Sequence, residues 1–141
     1  MVDLFRKNAI IEQMLIDSQA RYTRSHEWAK PDGELFAVGL SAYAVLQLGK
    51  LCLVELPPVG TVLTGGQAFA VVESVKAAVD VHTPLGGRVV AANTAVSDNP
   101  DLLKKDIYQS GWLVKIEPSD TTELTALMDA EAYRAFLESG A

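Results

Sequence analysis

Apolar residues along this chain fall in short runs rich in valine, leucine and alanine, interrupted by glycine- and proline-bearing breaks. That rhythm predicts a β protein with helical additions. Strands are expected at 27–29 and 34–40, joined across Pro31-Asp32-Gly33, with Leu35, Ala37 and Gly39 alternating against Phe36, Val38 and Leu40. Ser41 has the character of a helix N-cap, opening a short helix through Tyr43, Ala44, Leu46 and Leu48 that Gly49 stops. A strand at 50–56 follows, closed by Pro57-Pro58, and 59–64 leads into two further runs at 69–72 and 78–81. Beyond them, strands are predicted at 88–92 and 112–116, the last ended by Pro118. Asn99-Pro100 opens a one-turn helix between these strands, with asparagine as the cap.

The ends of the chain read as helical. Residues 1–20 place Leu4, Ile11, Met14 and Leu15 at roughly helical spacing, while Phe5, Ile10 and Ile16 blur the face. At the other end 121–128 and 129–138 are helical stretches, the second offering Ala132, Phe136 and Leu137 for packing before Gly140. Seven or eight short strands with terminal helices indicate a mainly β fold, a small sandwich or barrel. The organisation expected is an N-terminal extension at 1–20, a central domain at 21–118 and a C-terminal helical segment at 119–141 packed on that domain.

The runs 69–72 and 78–81 are bracketed by Gly65-Gly66 and Pro84-Leu85-Gly86-Gly87 and meet at a short polar tip, so they read as a β-hairpin. Lys76 sits on that tip. A turn holds a side chain clear of the sheet on a short rigid base, where a modifying enzyme can reach it. On the lysine and its tip alone, an ordinary solvated turn lysine is the favoured reading.

Composition narrows the function. The 141 residues suffice for one ordinary core. The net charge of −6 argues against nucleic acid, which needs clustered lysine and arginine. No window has the length of a membrane span, and Asp3, Glu12 and Asp17 beside Arg6 and Lys7 fit neither a signal nor a transit peptide. Cys52, the one cysteine, lies in the apolar run 51–54 and is expected as a small core residue; the lack of any disulfide framework suits the cytoplasm. There is no phosphate-cradling glycine loop, nucleophile elbow or histidine pair at metal-ligand spacing.

The string Glu73-Ser74-Val75-Lys76-Ala77, with Asp80 four positions after the lysine, resembles the lipoylation site of the glycine cleavage system H protein family. Ser25-His26-Glu27-Trp28, Val54-Glu55-Leu56-Pro57, Asn99-Pro100-Asp101-Leu102 and Gly111-Trp112-Leu113-Val114 resemble that family in the same order. The resemblance implies a barrel-sandwich hybrid, the lipoyl-domain fold, and a non-enzymatic carrier with lipoate in amide linkage on Lys76. Glu73, Ser74, Val75 and Ala77 would then be the recognition motif, and Ser25, Glu27 and Asp80 would line the cleft that shelters the loaded arm. The implied partners are a pyridoxal-phosphate glycine decarboxylase, a tetrahydrofolate-dependent aminomethyltransferase, a flavin (FAD) dihydrolipoamide dehydrogenase and a lipoate-attaching enzyme. Other readings are a lipoyl carrier of sulfur oxidation or of a lipoyl relay, and an unmodified binding domain.

Several residues stay open. His26 and Glu27 adjoin but face opposite sides if the strand is regular, and pattern alone favours a surface histidine beside a core tryptophan. Glu73 serves either recognition or solubility, and His82 has no partner legible in sequence. The chain departs from the family's usual acidic or amide residues at Ala42, Val45 and Lys50. These are expected on an exposed helix, where they would bear on docking partners.

Overall fold

The large sheet runs β1-β2-β3-β9-β8-β5 and the small one β4-β6-β7, every pairing antiparallel. The strands are β1 Arg21–Tyr22, β2 Glu27–Asp32, β3 Leu35–Leu40, β4 Leu51–Glu55, β5 Val62–Leu63, β6 Ala68–Ser74, β7 Ala78–His82, β8 Gly87–Ala92 and β9 Val114–Pro118. They come from a computed structural model that describes residues 16–140; the helix expected on Leu4, Phe5, Ile10, Ile11, Met14 and Leu15 lies outside these residues. At 16–20 the chain is a turn with no helix, and the Ala20 N–H donates to the Asp17 carbonyl.

The main core lies between the sheets, where Val38, Leu40, Val54, Val72, Val81, Leu85, Val89, Val114 and Ile116 are buried together. A second cluster, Ala20, Tyr22, Trp28, Ala37, Tyr133 and Leu137, covers the opposite face of β2 and β3. This explains why the expected alternation in β3 gives way to burial of every residue from Ala37 to Leu40. Helix α4, Ala130–Glu138, closes that second layer through Tyr133 and Leu137, with Asp129 accepting from the Ala132 N–H as cap. Phe136 packs beside it, whereas Ala132 faces solvent, because the helix turns its tyrosine inward. Gly39 permits this packing: a Cβ there would stand 2.8 Å from Cζ2 of the fully buried Trp28. Gly39→Ala should therefore destabilise the fold by about 1–3 kcal/mol through overpacking, measured by urea unfolding. A midpoint unchanged from the parent would refute the fit.

Helix α1, Ala42–Leu48, has the expected Ser41 cap and Gly49 end. Its side chains are not all exposed: Ala42 and Val45 are fully buried, Val45 within the main core, and among the three departing positions Lys50 alone is exposed. A seven-residue amphipathic helix turns one face inward, and Ala42, Val45 and Leu48 form it. Cys52 is likewise not in the core. The pairing Leu51↔Ser74 shifts to Leu53↔Glu73, so Cys52 is the extra residue of a bulge, and Cys52 and Leu53 both face out. A bulge resets the alternation that the apolar run suggested.

Helix α2, Thr94–Asp98, is an addition to the expected elements, and α3, Leu102–Lys105, begins later than Asn99-Pro100 predicted. Asn99 ends α2, its N–H bonded to the Ala95 carbonyl, and its own carbonyl then accepts from the Leu102 N–H. Strand β9 starts at Val114 and not at Trp112, because the Trp112 carbonyl is taken by the side-chain amide of Asn93 (2.7 Å). The stretch 121–128 forms a 3-10 helix, Thr121–Ala126, capped by Asp120.

Candidate functional site

Strands β6 and β7 form the expected hairpin, and its tip carries Val75, Lys76 and Ala77 in solvent. Ser74 is the tip's fastening. Its N–H donates to the Ala77 carbonyl (2.7 Å), while its hydroxyl oxygen accepts from the Ala77 N–H (3.1 Å) and the Lys76 N–H (3.3 Å). The Val75 N–H donates to the Lys50 carbonyl, tying the tip to the residue just before β4. Among the described residues Lys76 has no ion-pair partner, whereas Lys30 and Lys115 are held by Asp17 and Asp32, each at 2.8 Å. The result is a free amine on a fixed base. Glu73 lies half-buried opposite Ala78 and Leu53, one strand residue below this turn.

From the tip, β7 runs along the edge of the small sheet with Val79 and Val81 turned toward the core side. Ala78, Asp80 and His82 occupy its other face, as the period of two requires. Asp80 is exposed and stands opposite Val71, which in turn faces Glu55, so two carboxylates flank a 230 Å³ hollow floored by Phe69 and Val71. At the far end of β7 the backbone N–H of His82 donates to Oε2 of Glu27 (2.9 Å). Thus the strand that leaves Lys76 ends on Glu27, among the described residues the one buried carboxylate, at 1% exposure.

Glu27 is gripped from several sides. Oε1 accepts from the hydroxyls of Thr23 and Ser25, both at 2.5 Å, and the Glu27 N–H donates to the Thr23 hydroxyl. Oε2 takes the His82 N–H and is approached by His82 Nδ1 at 3.5 Å. A carboxylate offers about four acceptor positions. The fourth is met here only by the imidazole of a half-exposed side chain, at 3.5 Å. Ser25, itself exposed, joins Glu27, while Asp80 sits apart on the open face of the sheet.

Thr23, His82 and Tyr133 were not among the expected site residues. Thr23 carried a usable signal, a hydroxyl four positions before a carboxylate across a short turn. His26 Nδ1 lies 2.8 Å from the Tyr133 hydroxyl, and burial lowers the imidazole's pKa from its ordinary 6.5, with Glu27 acting weakly against the shift. A histidine whose folded pKa is depressed adds stability above its unfolded pKa, and this is lost as pH falls through the folded value. Stability should accordingly decline on acidification from pH 6.5, and His26→Asn should reduce that decline in urea titrations at matched pH. Identical pH profiles would refute the assignment.

The comparisons with known proteins settle the lineage. Residues 20–140 match the family model described as glycine cleavage H-protein. The chain belongs to the glycine cleavage H-protein family. It is 50% identical over 123 residues to the glycine cleavage system H protein of Synechococcus sp. (strain RCC307), covering 87% of this chain and 95% of that one. With the Thermus thermophilus glycine cleavage system H protein it shares 46% identity over 120 residues, 85% of this chain and 94% of the relative. The crystal structure of a glycine cleavage system H protein from Mycobacterium marinum superposes with a TM-score of 0.79 at 34% identity, covering 89% of this chain and all of that one. The two sheets are thus the barrel-sandwich hybrid of this family. Among the described residues no three histidine, cysteine or acidic side chains are grouped to hold a metal, and no helix is long and apolar enough to cross a membrane.

Proposed function

We propose that this protein is the lipoate-bearing carrier of a glycine cleavage system, itself non-catalytic, with lipoate in amide linkage on Lys76. The observation that carries the reading is an unpaired lysine at the stitched tip of a hairpin in a member of this family. An exposed amine on a rigid base suits the attaching enzyme, and the exposed neighbours Val75 and Ala77 with half-buried Glu73 supply a recognition surface. When bound, lipoate would supply a disulfide able to carry the aminomethyl group that glycine leaves as its carboxylate departs as carbon dioxide on a pyridoxal-phosphate glycine decarboxylase, to yield it to a tetrahydrofolate-dependent aminomethyltransferase, and to be reoxidised from the dithiol by a flavin dihydrolipoamide dehydrogenase.

The chain's own contribution is placement. From Lys76 in the turn, β7 leads past Asp80 to the His82 N–H that meets Glu27. An arm folded back along this edge would bring a terminal amine toward Glu27 and Ser25, and the buried carboxylate would hold its charge away from water. Asp80, in the open, would guide that amine on its way. The cytoplasm is the proposed compartment. The test is lipoate-dependent exchange of the glycine carboxyl carbon with bicarbonate when the lipoylated protein is mixed with glycine decarboxylase. Exchange with the lipoylated form alone is expected; no exchange above the unmodified protein would overturn the proposal.

A further inference from the structure

His26 stands between Ser25 and Glu27 with φ of +75°, a left-handed conformation that few residues other than glycine adopt. That twist lets two side chains adjacent to it in sequence, the Ser25 hydroxyl and the Glu27 carboxylate, meet. Its backbone is held by Thr23, whose carbonyl accepts from the His26 N–H (3.2 Å), and by Ser41, whose N–H donates to the His26 carbonyl (2.7 Å). The imidazole packs against Tyr43 and Phe136 at ring distances of 4.8 and 5.9 Å. Its Nδ1 meets the hydroxyl of Tyr133, a residue 107 positions away in sequence.

Tyr133 is fully buried, and its ring lies flat on Tyr22 with centroids 4.1 Å apart. Packing alone would be served by phenylalanine, since a buried hydroxyl is costly without partners. This hydroxyl has two: His26 Nδ1 and Ser41 Oγ, each at 2.8 Å. Burial raises the phenol's pKa, so it remains a neutral hydroxyl. The hydroxyl therefore joins the cap of α1 and the turn that carries Glu27 to the C-terminal helix.

We infer that Tyr133, acting through His26, is a positioning residue for Glu27, so that helix α4 braces the carboxylate against which the arm is proposed to fold. The functional half of this inference rests on the proposed role of Glu27; the structural half does not. The bond from the His82 N–H to Glu27 Oε2 reports placement directly. Amide hydrogen exchange on the unmodified protein would follow His82, with Val89, bonded to the Thr61 carbonyl, as the reference for global stability.

In Tyr133→Phe, which keeps the ring stack, and in His26→Gly, which keeps the left-handed backbone but loses the imidazole, exchange at His82 should quicken about tenfold relative to Val89. The double variant should exchange little faster than His26→Gly alone, since that substitution already removes the His26–Tyr133 contact that Tyr133→Phe breaks. His26→Asn should stay near the parent, because asparagine tolerates positive φ and presents its amide near the place of Nδ1. Release of formaldehyde and ammonia from the loaded, lipoylated protein should rise by the same factor in the first two variants. An unchanged His82 amide in Tyr133→Phe overturns the brace. So does unchanged release in that variant while Glu27→Gln releases faster. If His82 responds but Glu27→Gln leaves release unaltered, the brace stands and the proposed role of Glu27 fails.

Discussion

Lys76→Arg is expected to abolish lipoylation completely while leaving the fold intact. Arginine preserves the length and positive charge of the side chain, but its guanidinium stays protonated and offers no free amine for an amide bond. The tip itself should not change, because its hydrogen bonds run through the backbone and Ser74 and do not involve the lysine side chain. The check is intact mass after incubation with a lipoate ligase, lipoate and ATP. The parent should gain one lipoyl group and the variant none. A lipoyl gain in Lys76→Arg would mean that another exposed lysine, such as Lys50, Lys104 or Lys105, is the attachment site.

The second large effect is expected at Glu27. Glu27→Gln keeps the shape but removes the charge and sets an amide N–H against donors that now point at oxygen. In a site that excludes water, a charge-assisted hydrogen bond is worth roughly 1.5–3 kcal/mol, so loss of the aminomethyl group from the loaded arm should quicken about ten- to a hundredfold. Asp80→Asn should do much less. Asp80 is exposed, and surface charge pairs contribute about 0–1 kcal/mol, an effect that salt erases. Formaldehyde and ammonia released without the transferase give the rates, and lipoylation of both variants should be normal. Equal rates in parent and Glu27→Gln would remove Glu27 from the arm's shelter.

Much of this was legible because it is local. The hairpin and the exposure of Lys76 follow from two apolar runs and a polar tip, and Ser41 and Gly49 bound α1 by chemistry within a few residues. What escaped depends on distant chain. Whether Ala42 and Val45 are covered is decided by what lies across from α1, and no spacing within the helix reports that. Tyr133 in the C-terminal helix looks like any amphipathic residue until it meets Tyr22, Ser41 and His26. The pairing of Ser25 with Glu27 needs a left-handed residue between them, and His26 carries no glycine-like mark of it. His26 and Glu27 part as a regular strand would have it, the imidazole to Tyr133 and the carboxylate to Thr23, Ser25 and His82, although His26 itself lies outside β2.

The bulge in β4 has a practical consequence. It puts Cys52, the one thiol in the chain, on the outside of the strand that pairs with the base of the lysine hairpin. A maleimide dye attached there would disturb no core packing. With the arm in its oxidised ring form, Cys52 would be the sole reactive sulfur. Fluorescence quenching or anisotropy at that position would then follow the arm's approach and departure in real time, giving a built-in optical reporter on the swinging of the carrier.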